Sequence, residues 1–319
     1  MRLVPMIFPG QASQVVGMAR DLAGGSGPAA DFLCRVDRIL EHRLTRVMFE
    51  GPADILTQTH HAQPAILAHS VAVVLALLDR GVAPSIVAGH SLGEYSAAVA
   101  AGALAPDDGL MAVRRRGELM FAAGREQPGA MAAVLGLSAA RVAEVCAEVA
   151  REHGVVVVAN HNSAVQVAIS GEVKAVEAAS AALVAAGARR VVPLNVSGAF
   201  HSPLLEGTAR SFATFLAALE VADPVMPLVA NVSAEPVSTA AELRAGFERQ
   251  LTAPVRWQET MERICRPETG EAPRLVLEVG PGKVLSNLAR REYPEVAFAA
   301  VGTVDDLERI DALLDEHGI

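Results

Sequence analysis

The stretch Ile86-Val87-Ala88-Gly89-His90-Ser91-Leu92-Gly93-Glu94-Tyr95-Ser96 holds residue types at a spacing that supports nucleophilic chemistry. A β-branched apolar run leads into Gly-x-Ser-x-Gly, and a small-residue run from Ala97 to Leu104 follows. The pattern predicts a nucleophile elbow, a serine placed where a strand turns sharply into a helix. Flanking glycines allow the turn without a Cβ clash, the Ser91 hydroxyl is pushed outward, and the helix N-terminus beneath it favours developing negative charge. Serine is a poor nucleophile unless a base takes its proton. Among nine histidines, His90 adjoins Ser91 and projects away from it. His42, His60, His61, His69, His153 and His161 read as surface or core residues, and His317 lies at the end of the chain. His201 differs, because Gly198-Ala199-Phe200-His201-Ser202-Pro203 stands where one part of the chain hands over to another. A cleft between two units is a usual place for a base, and the core reading stays open beside this one.

A second chemical group is the run Arg114-Arg115-Arg116 on the helix after the elbow. A planar guanidinium can bind a carboxylate through two parallel hydrogen bonds. Successive helical residues point about 100° apart, so the three cannot all face one cleft. The apolar residues Leu110, Met111, Val113, Leu119 and Met120 go most of the way round this helix, and periodicity does not choose among the arginines.

The elements that must position these groups are legible in outline. Leu3 to Phe8 is expected as a first strand, closing in the loop Pro9-Gly10-Gln11-Ala12-Ser13. Segments 28–50 and 64–80 have helical spacing, and Gly81-Val82-Ala83-Pro84 turns back into the strand that carries the elbow. This alternation points to an α/β fold, an α/β-hydrolase-like large domain with a parallel sheet covered on both faces. From Gln127-Pro128-Gly129 the texture changes to strand, helix, strand, strand, helix, strand, the order of a ferredoxin-like α+β unit. The expected division is therefore a large domain of residues 1–126 and 199–319 with an inserted small domain of residues 127–198. After the insertion come a helix from about Pro203 to Leu219, a strand Met226 to Val232, a helix from about Ala240, and a last strand Arg274 to Val279.

A length of 319 residues suits one large domain with an insertion, and 51% apolar against 20% charged residues excludes a disordered chain. The formal net charge of −9 argues against nucleic acid as a partner, so an acidic partner must be met by a local basic patch. Arg114 to Arg116, Arg189-Arg190, and Lys283 with Arg290-Arg291 are candidates, each of which taken singly reads more simply as solvated surface. The apolar run Pro64 to Leu78 is interrupted by His69 and Ser70 and is expected as a buried helix rather than a membrane span. Met1 to Pro9 lacks the pattern of a signal peptide, and Cys34, Cys146 and Cys265 form neither a disulfide framework nor a zinc site. A cytoplasmic monomer with no bound cofactor, metal or membrane is the expectation.

Further motifs extend these observations along the chain. They are Phe8-Pro9-Gly10-Gln11-Ala12-Ser13-Gln14, Gln63-Pro64-Ala65, the elbow itself, Arg116-Gly117, and Asn160-His161-Asn162-Ser163. Beyond them lie Gly198 to Leu204, Asn231-Val232-Ser233-Ala234, Gln250, Pro254-Val255-Arg256-Trp257, and Leu277-Glu278-Val279-Gly280-Pro281-Gly282-Lys283-Val284-Leu285. In these residues, over nearly its whole length, the chain resembles the malonyl-CoA:acyl carrier protein transacylases of fatty-acid synthesis and the related acyltransferases of polyketide synthases. The resemblance implies a Ser91–His201 dyad, with malonyl-CoA as donor and the phosphopantetheine thiol of an acyl carrier protein as acceptor. It implies that a main-chain carbonyl at Gln250, with Asn231 nearby, orients the base, and that backbone N–H groups of Gln11 and Leu92 form an oxyanion hole. It selects Arg116, the arginine followed by Gly117, to hold the malonyl carboxylate. Leu92, Ala199 and Phe200 resemble members that take malonyl rather than α-methylated units, and Phe200 would crowd a branch. The chain departs from many relatives at Ala12, where they carry glycine.

Two other readings use the same elbow. An esterase or thioesterase would run serine, acid, then histidine near the C-terminus, an order only His317 could serve. An editing hydrolase that clears stalled carrier proteins would have no use for Arg116.

Overall fold

The computed structural model describes residues 1–196 and 198–319, with Ser197 outside the described residues. Its strands are β1 (Arg2–Phe8), β2 (Val82–Gly89), β3 (Gly129–Leu135), β4 (Val156–Ser163), β5 (Gln166–Glu172), β6 (Arg190–Pro193), β7 (Leu228–Val229), β8 (Pro236–Val237), β9 (Leu275–Val279) and β10 (Ala297–Val301). They form a six-stranded sheet in the order β10-β9-β1-β2-β7-β8 and a four-stranded sheet in the order β4-β5-β3-β6. The larger sheet is parallel from β10 to β7 and ends in the antiparallel pair β7–β8. The smaller is antiparallel throughout. The fold is therefore α/β, with a mixed, mostly parallel main sheet.

Alternation along β1 explains how one sheet serves two cores. Val4, Met6 and Phe8 face a layer that includes the helices Thr59–Asp79 and Pro106–Glu126, whereas Ile7 joins Ala88, Val229 and Val276 against Trp257 and Tyr293. A parallel strand covered on both sides needs apolar residues at both parities, and β1 and β2 have them. The small sheet packs on the helices Ala139–His153 and Val173–Ala185 around a separate cluster that includes Val134, Val142, Ile169 and Leu183. Strand β4 of the small sheet is tied to the segment that leads into the helix Trp257–Cys265, where His161 N–H donates to the Val255 carbonyl (2.8 Å) and Val255 N–H to that of Ala159 (2.9 Å).

The helix Thr59–Asp79 is long and apolar enough to cross a membrane, yet 83% of its most apolar window is buried inside the fold, so it is a core helix. It begins before the expected residue 64 and contains Pro64 in its interior. Proline has no N–H for the carbonyl four residues back. That carbonyl, of His60, instead accepts from Arg114 Nη1 at 2.9 Å.

Several expected boundaries are corrected. Segment 28–50 is two helices, Pro28–Ile39 and Leu44–Glu50, rather than one. The stretch from Pro203 is a 3-10 turn, Pro203–Leu205, followed by a helix Glu206–Ala217. The strand expected over Met226 to Val232 is only the two-residue β7. The strand near Leu275–Val279 is not the last, because β10 pairs with it along its whole length and forms the sheet edge. The helix Trp257–Cys265 has no counterpart in the sequence reading.

Candidate active site

Ser91 sits between the end of β2 and the helix Gly93–Ala100 with φ of 51°, a left-handed conformation that puts its side chain on the outside of the turn. The turn is tight enough to demand glycine on both sides. A Cβ on Gly89 would lie 1.9 Å from the Gly93 carbonyl carbon, and one on Gly93 would lie 2.2 Å from the Phe8 oxygen. Asn231 clamps the same turn from beyond β7: its Oδ1 accepts from Ser91 N–H at 2.7 Å and its Nδ2 donates to the Gly89 carbonyl at 2.6 Å. Asn231 thus holds the elbow backbone rather than the imidazole it was expected to help orient.

His201, itself at φ of 56°, places Nε2 2.8 Å from Ser91 Oγ. Its Nδ1 faces the carbonyls of Gln250 (2.9 Å) and Ala253 (3.2 Å). Carbonyl oxygens only accept, so Nδ1 carries the proton and Nε2 is left to accept from the serine hydroxyl. Burial, and next the Arg116 guanidinium, push the imidazole down to about 3, which keeps it neutral and able to receive a proton. His90 is turned elsewhere, with Nε2 2.9 Å from Asn162 Oδ1.

Arg116 is only 1% exposed and reaches the same hydroxyl. Nη2 donates to Ser91 Oγ (3.0 Å) and Gln250 Oε1 (3.1 Å), and Nη1 donates to Gln63 Oε1 (2.8 Å). Arg114 instead braces His60 and pairs with Glu118 at 2.7 Å, and the more exposed Arg115 is 3.8 Å from Glu118. The three arginines thus divide as the helix geometry requires, with one in the site and two on its outer side.

A cleft of about 400 Å³ opens over Ser91, lined by Gln11, Leu92, Phe200 and Leu285 together with Met131 and Ala168 of the small sheet. Leu92 is the N-cap of the elbow helix, so its amide lies at the positive helix end. Gln11 is tied by its side-chain Nε2 to Thr59 Oγ1 at 3.3 Å. Ala12 takes φ of 82°, a conformation that favours glycine, and its N–H donates to Gln14 Oε1 at 2.8 Å. The exposed patches Arg189-Arg190, Lys283 and Arg290-Arg291 lie outside this reacting set, although Val284, next to Lys283, lines the cleft.

Two side chains at the site were not singled out from the sequence. Gln63, inside the motif Gln63-Pro64-Ala65, receives Arg116 Nη1. Glu94 is fully buried in the elbow helix, accepting from Asn231 N–H at 2.8 Å and from Gln250 Nε2. Burial pushes its carboxyl up to about 7 against the lowering effects of those bonds and of Arg116. The available signal was a lone acid among small and apolar residues.

Comparison with known proteins identifies the family of the chain. The acyl transferase domain family matches residues 6–307. A malonyl CoA-acyl carrier protein transacylase of Bacillus subtilis is 39% identical over 318 residues, 99% of each chain. An acyl-carrier-protein S-malonyltransferase from Bartonella henselae superposes with a TM-score of 0.91 at 40% identity, over 100% of both chains. A malonyl-transacylase solved in complex with a type II polyketide synthase acyl carrier protein gives 0.90 at 38% identity, over 97% of this chain and 98% of that one. The chain belongs to the malonyl CoA-acyl carrier protein transacylases, within the acyl transferase domain family.

Proposed function

We propose that this protein transfers a malonyl group from malonyl-CoA to the phosphopantetheine thiol of an acyl carrier protein, by way of an ester on Ser91. The observation that carries the reading is the position of Ser91 Oγ, within hydrogen-bond reach of both His201 Nε2 (2.8 Å) and Arg116 Nη2 (3.0 Å). Oγ attacks the thioester carbon as its proton passes to Nε2, the C–S bond breaks, and the CoA sulfur leaves with that proton. The carrier thiol then attacks the ester by the same steps in reverse. Backbone N–H groups of Gln11 and Leu92 receive the charge that forms on the carbonyl oxygen, and no separate cofactor takes part.

Arg116 binds the free malonyl carboxylate, which also couples recognition to catalysis. Its charge holds down the basicity of His201, and a carboxylate bound to it offsets that charge. Phe200, 5% exposed and on the cleft wall, limits branching next to the thioester. Two carbonyls behind the imidazole, in place of a carboxylate, and the use of His201 rather than His317, favour this reading over an esterase triad. The strand order β4-β5-β3-β6, with two helices on the sheet, supports reading residues 127–198 as a ferredoxin-like insertion. It would sit in an α/β-hydrolase-like domain of residues 1–126 and 199–319. The carrier protein, which is acidic, would dock over the cleft rim near Arg189-Arg190 and Lys283, in a cytoplasmic setting.

The test is intact-protein mass after brief exposure to malonyl-CoA, with and without holo carrier protein. A malonyl adduct that is absent in Ser91→Ala and moves to the carrier supports the reading. Release of free malonate faster than transfer would replace it with an editing hydrolase.

A further inference from the structure

Glu94 is a buried carboxylate that the transfer chemistry leaves without a part, although it touches no reacting atom and lies at the centre of the groups that do. It is on the elbow helix, three residues from Ser91 in sequence, and its side chain points inward at zero exposure. Each of its oxygens accepts from a different arm of the site. Oε1 receives the backbone N–H of Asn231 at 2.8 Å, and Asn231 in turn clamps Ser91 N–H and the Gly89 carbonyl. Oε2 receives Nε2 of Gln250, the same amide nitrogen that donates to the Ser91 carbonyl at 2.8 Å.

This fixes which way the Gln250 amide faces. With its nitrogen committed to Glu94 and to the Ser91 carbonyl, its oxygen must turn to the other side, where Arg116 Nη2 donates to it at 3.1 Å. A flipped amide would set an NH2 group against a guanidinium, two donors facing each other in a buried site. Arg116 has a second brace in Gln63 at Nη1, whereas its Nη2 end, beside the nucleophile, donates to Gln250 and Ser91.

We infer that Glu94 is a positioning residue for substrate selection: acting through the Gln250 amide, it aims the Nη2 end of Arg116 at the acyl group and thereby sets the preference for a carboxylated over an uncharged acyl group. The inference rests on Arg116 being the malonyl carboxylate ligand. The carboxylate form is required because both oxygens accept. In Glu94→Gln one of the two acceptors becomes an NH2 group, so either Asn231 N–H or Gln250 Nε2 meets a donor, and relief at Gln250 requires the amide to flip toward Arg116.

The experiment measures the rates of Ser91 loading from malonyl-CoA and from acetyl-CoA by quenched intact-protein mass, in the native protein, Glu94→Gln and Arg116→Ala. The expected result is that Glu94→Gln lowers the malonyl-to-acetyl ratio by about ten- to a hundredfold, the size of effect that a misplaced binding group produces. A ratio unchanged in Glu94→Gln but lowered in Arg116→Ala overturns the inference alone. A ratio unchanged in Arg116→Ala overturns the carboxylate-ligand reading on which it stands. Should Glu94→Gln fail to fold, the native protein answers the same question between about pH 6 and pH 8, a range that brackets the Glu94 carboxyl at about 7. The titratable or charged neighbours of that carboxyl are Arg116, on the facing helix, and Tyr95, beside it on its own helix. Both keep their charge state over this range, since Arg116 is a guanidinium and burial raises the Tyr95 phenol further. Protonation of Glu94 on the acid side then lowers the malonyl-to-acetyl ratio, and a ratio independent of pH overturns the inference.

Discussion

Truncating Arg116 to alanine separates the two tasks assigned to it. The guanidinium is 1% exposed and its hydrogen bonds run 2.8 Å to Gln63, 3.0 Å to Ser91 and 3.1 Å to Gln250, so it is already desolvated when the acyl group arrives. A malonyl carboxylate in this cleft therefore forms a buried, charge-assisted pair, and removing one member of such a pair costs about 2–5 kcal/mol. Taking about 3 kcal/mol gives a fall of about 150-fold in kcat/KM for malonyl loading. Acetyl-CoA offers no carboxylate, so it loses nothing by the truncation. It also gains, because the charge that holds His201 at about 3 has gone and the base recovers part of its proton affinity. Acetyl loading is thus expected to hold or rise while malonyl loading collapses. Rapid-quench mass measurement of the Ser91 adduct from each thioester reads both rates, and a thermal melt checks folding. If both rates fall in parallel in a folded variant, Arg116 is a structural brace and the reasoning fails. Arg116→Lys should regain only part of the malonyl rate, since an ammonium cannot span a carboxylate with two parallel bonds.

Replacing Phe200 with alanine opens the cleft wall and should improve methylmalonyl loading relative to malonyl by about 1–3 kcal/mol, or roughly ten- to hundredfold, read from competing mass adducts; an unchanged ratio removes Phe200 from selectivity. Ala12→Gly relieves a residue at φ of 82° and should stabilise the fold by about 0.5–1 kcal/mol in chemical denaturation, whereas destabilisation would show that the Ala12 methyl makes a needed contact. His61, held down to about 4, His201, held down to about 3, the buried His69, and the partly buried His60, His90 and His161, all lowered, favour the neutral imidazole when folded, chiefly through burial. Their stabilisation is full above about 6.5 and is lost as the pH falls toward 4. Glu94, raised to about 7, and Asp108, also raised by burial, work in the opposite direction, but two carboxyls are outweighed by six imidazoles. The unfolding free energy should therefore rise from about pH 4 to pH 6.5, and a flat or falling profile in denaturant titrations would contradict this assignment.

The legible parts of this chain are those whose constraint is local. The elbow is a backbone demand: Gly89 and Gly93 cannot carry a Cβ, and that requirement is written in five consecutive residues. Strands β1 and β2 are short apolar runs and were legible for the same reason, although Val82-Ala83-Pro84, expected as a turn, pairs with β1 as the start of β2. Helix Pro106–Glu126 was found, but its face was not, because its apolar residues wrap too far around for periodicity to choose among the three arginines. Tertiary packing made the choice, placing Arg116 inward while Glu118 drew Arg114 and Arg115 out. Strand β10 escaped notice because Ala297–Val301 is short and small-residue rich, and it acquires its meaning only by pairing with β9.

Composition and spacing alone did not reveal the groups around the dyad, of which the choice of His201 and the roles of Gln250 and Asn231 came from the family resemblance and Glu94 not at all, because their roles are relations between distant residues. Glu94 matters through Asn231 and Gln250, 137 and 156 positions away. His201 reaches Ser91 across 110 positions, and it does so in a left-handed conformation that no glycine announces. Ser91 and His201 are both non-glycine residues at positive φ, 51° and 56°, and such backbone persists where its surroundings over-determine it. At Ser91 that surrounding is the Asn231 clamp and the Gln250 bond to its carbonyl; at His201 it is the pair of carbonyls on Nδ1, with Ser202 Oγ donating to the Ala199 carbonyl at 2.7 Å beneath it. Gln250 belongs to both sets, its side chain bracing the nucleophile and its carbonyl bracing the base. One residue at the end of one helix therefore fixes the spacing of the dyad, and a carboxylate that never meets the substrate fixes that residue.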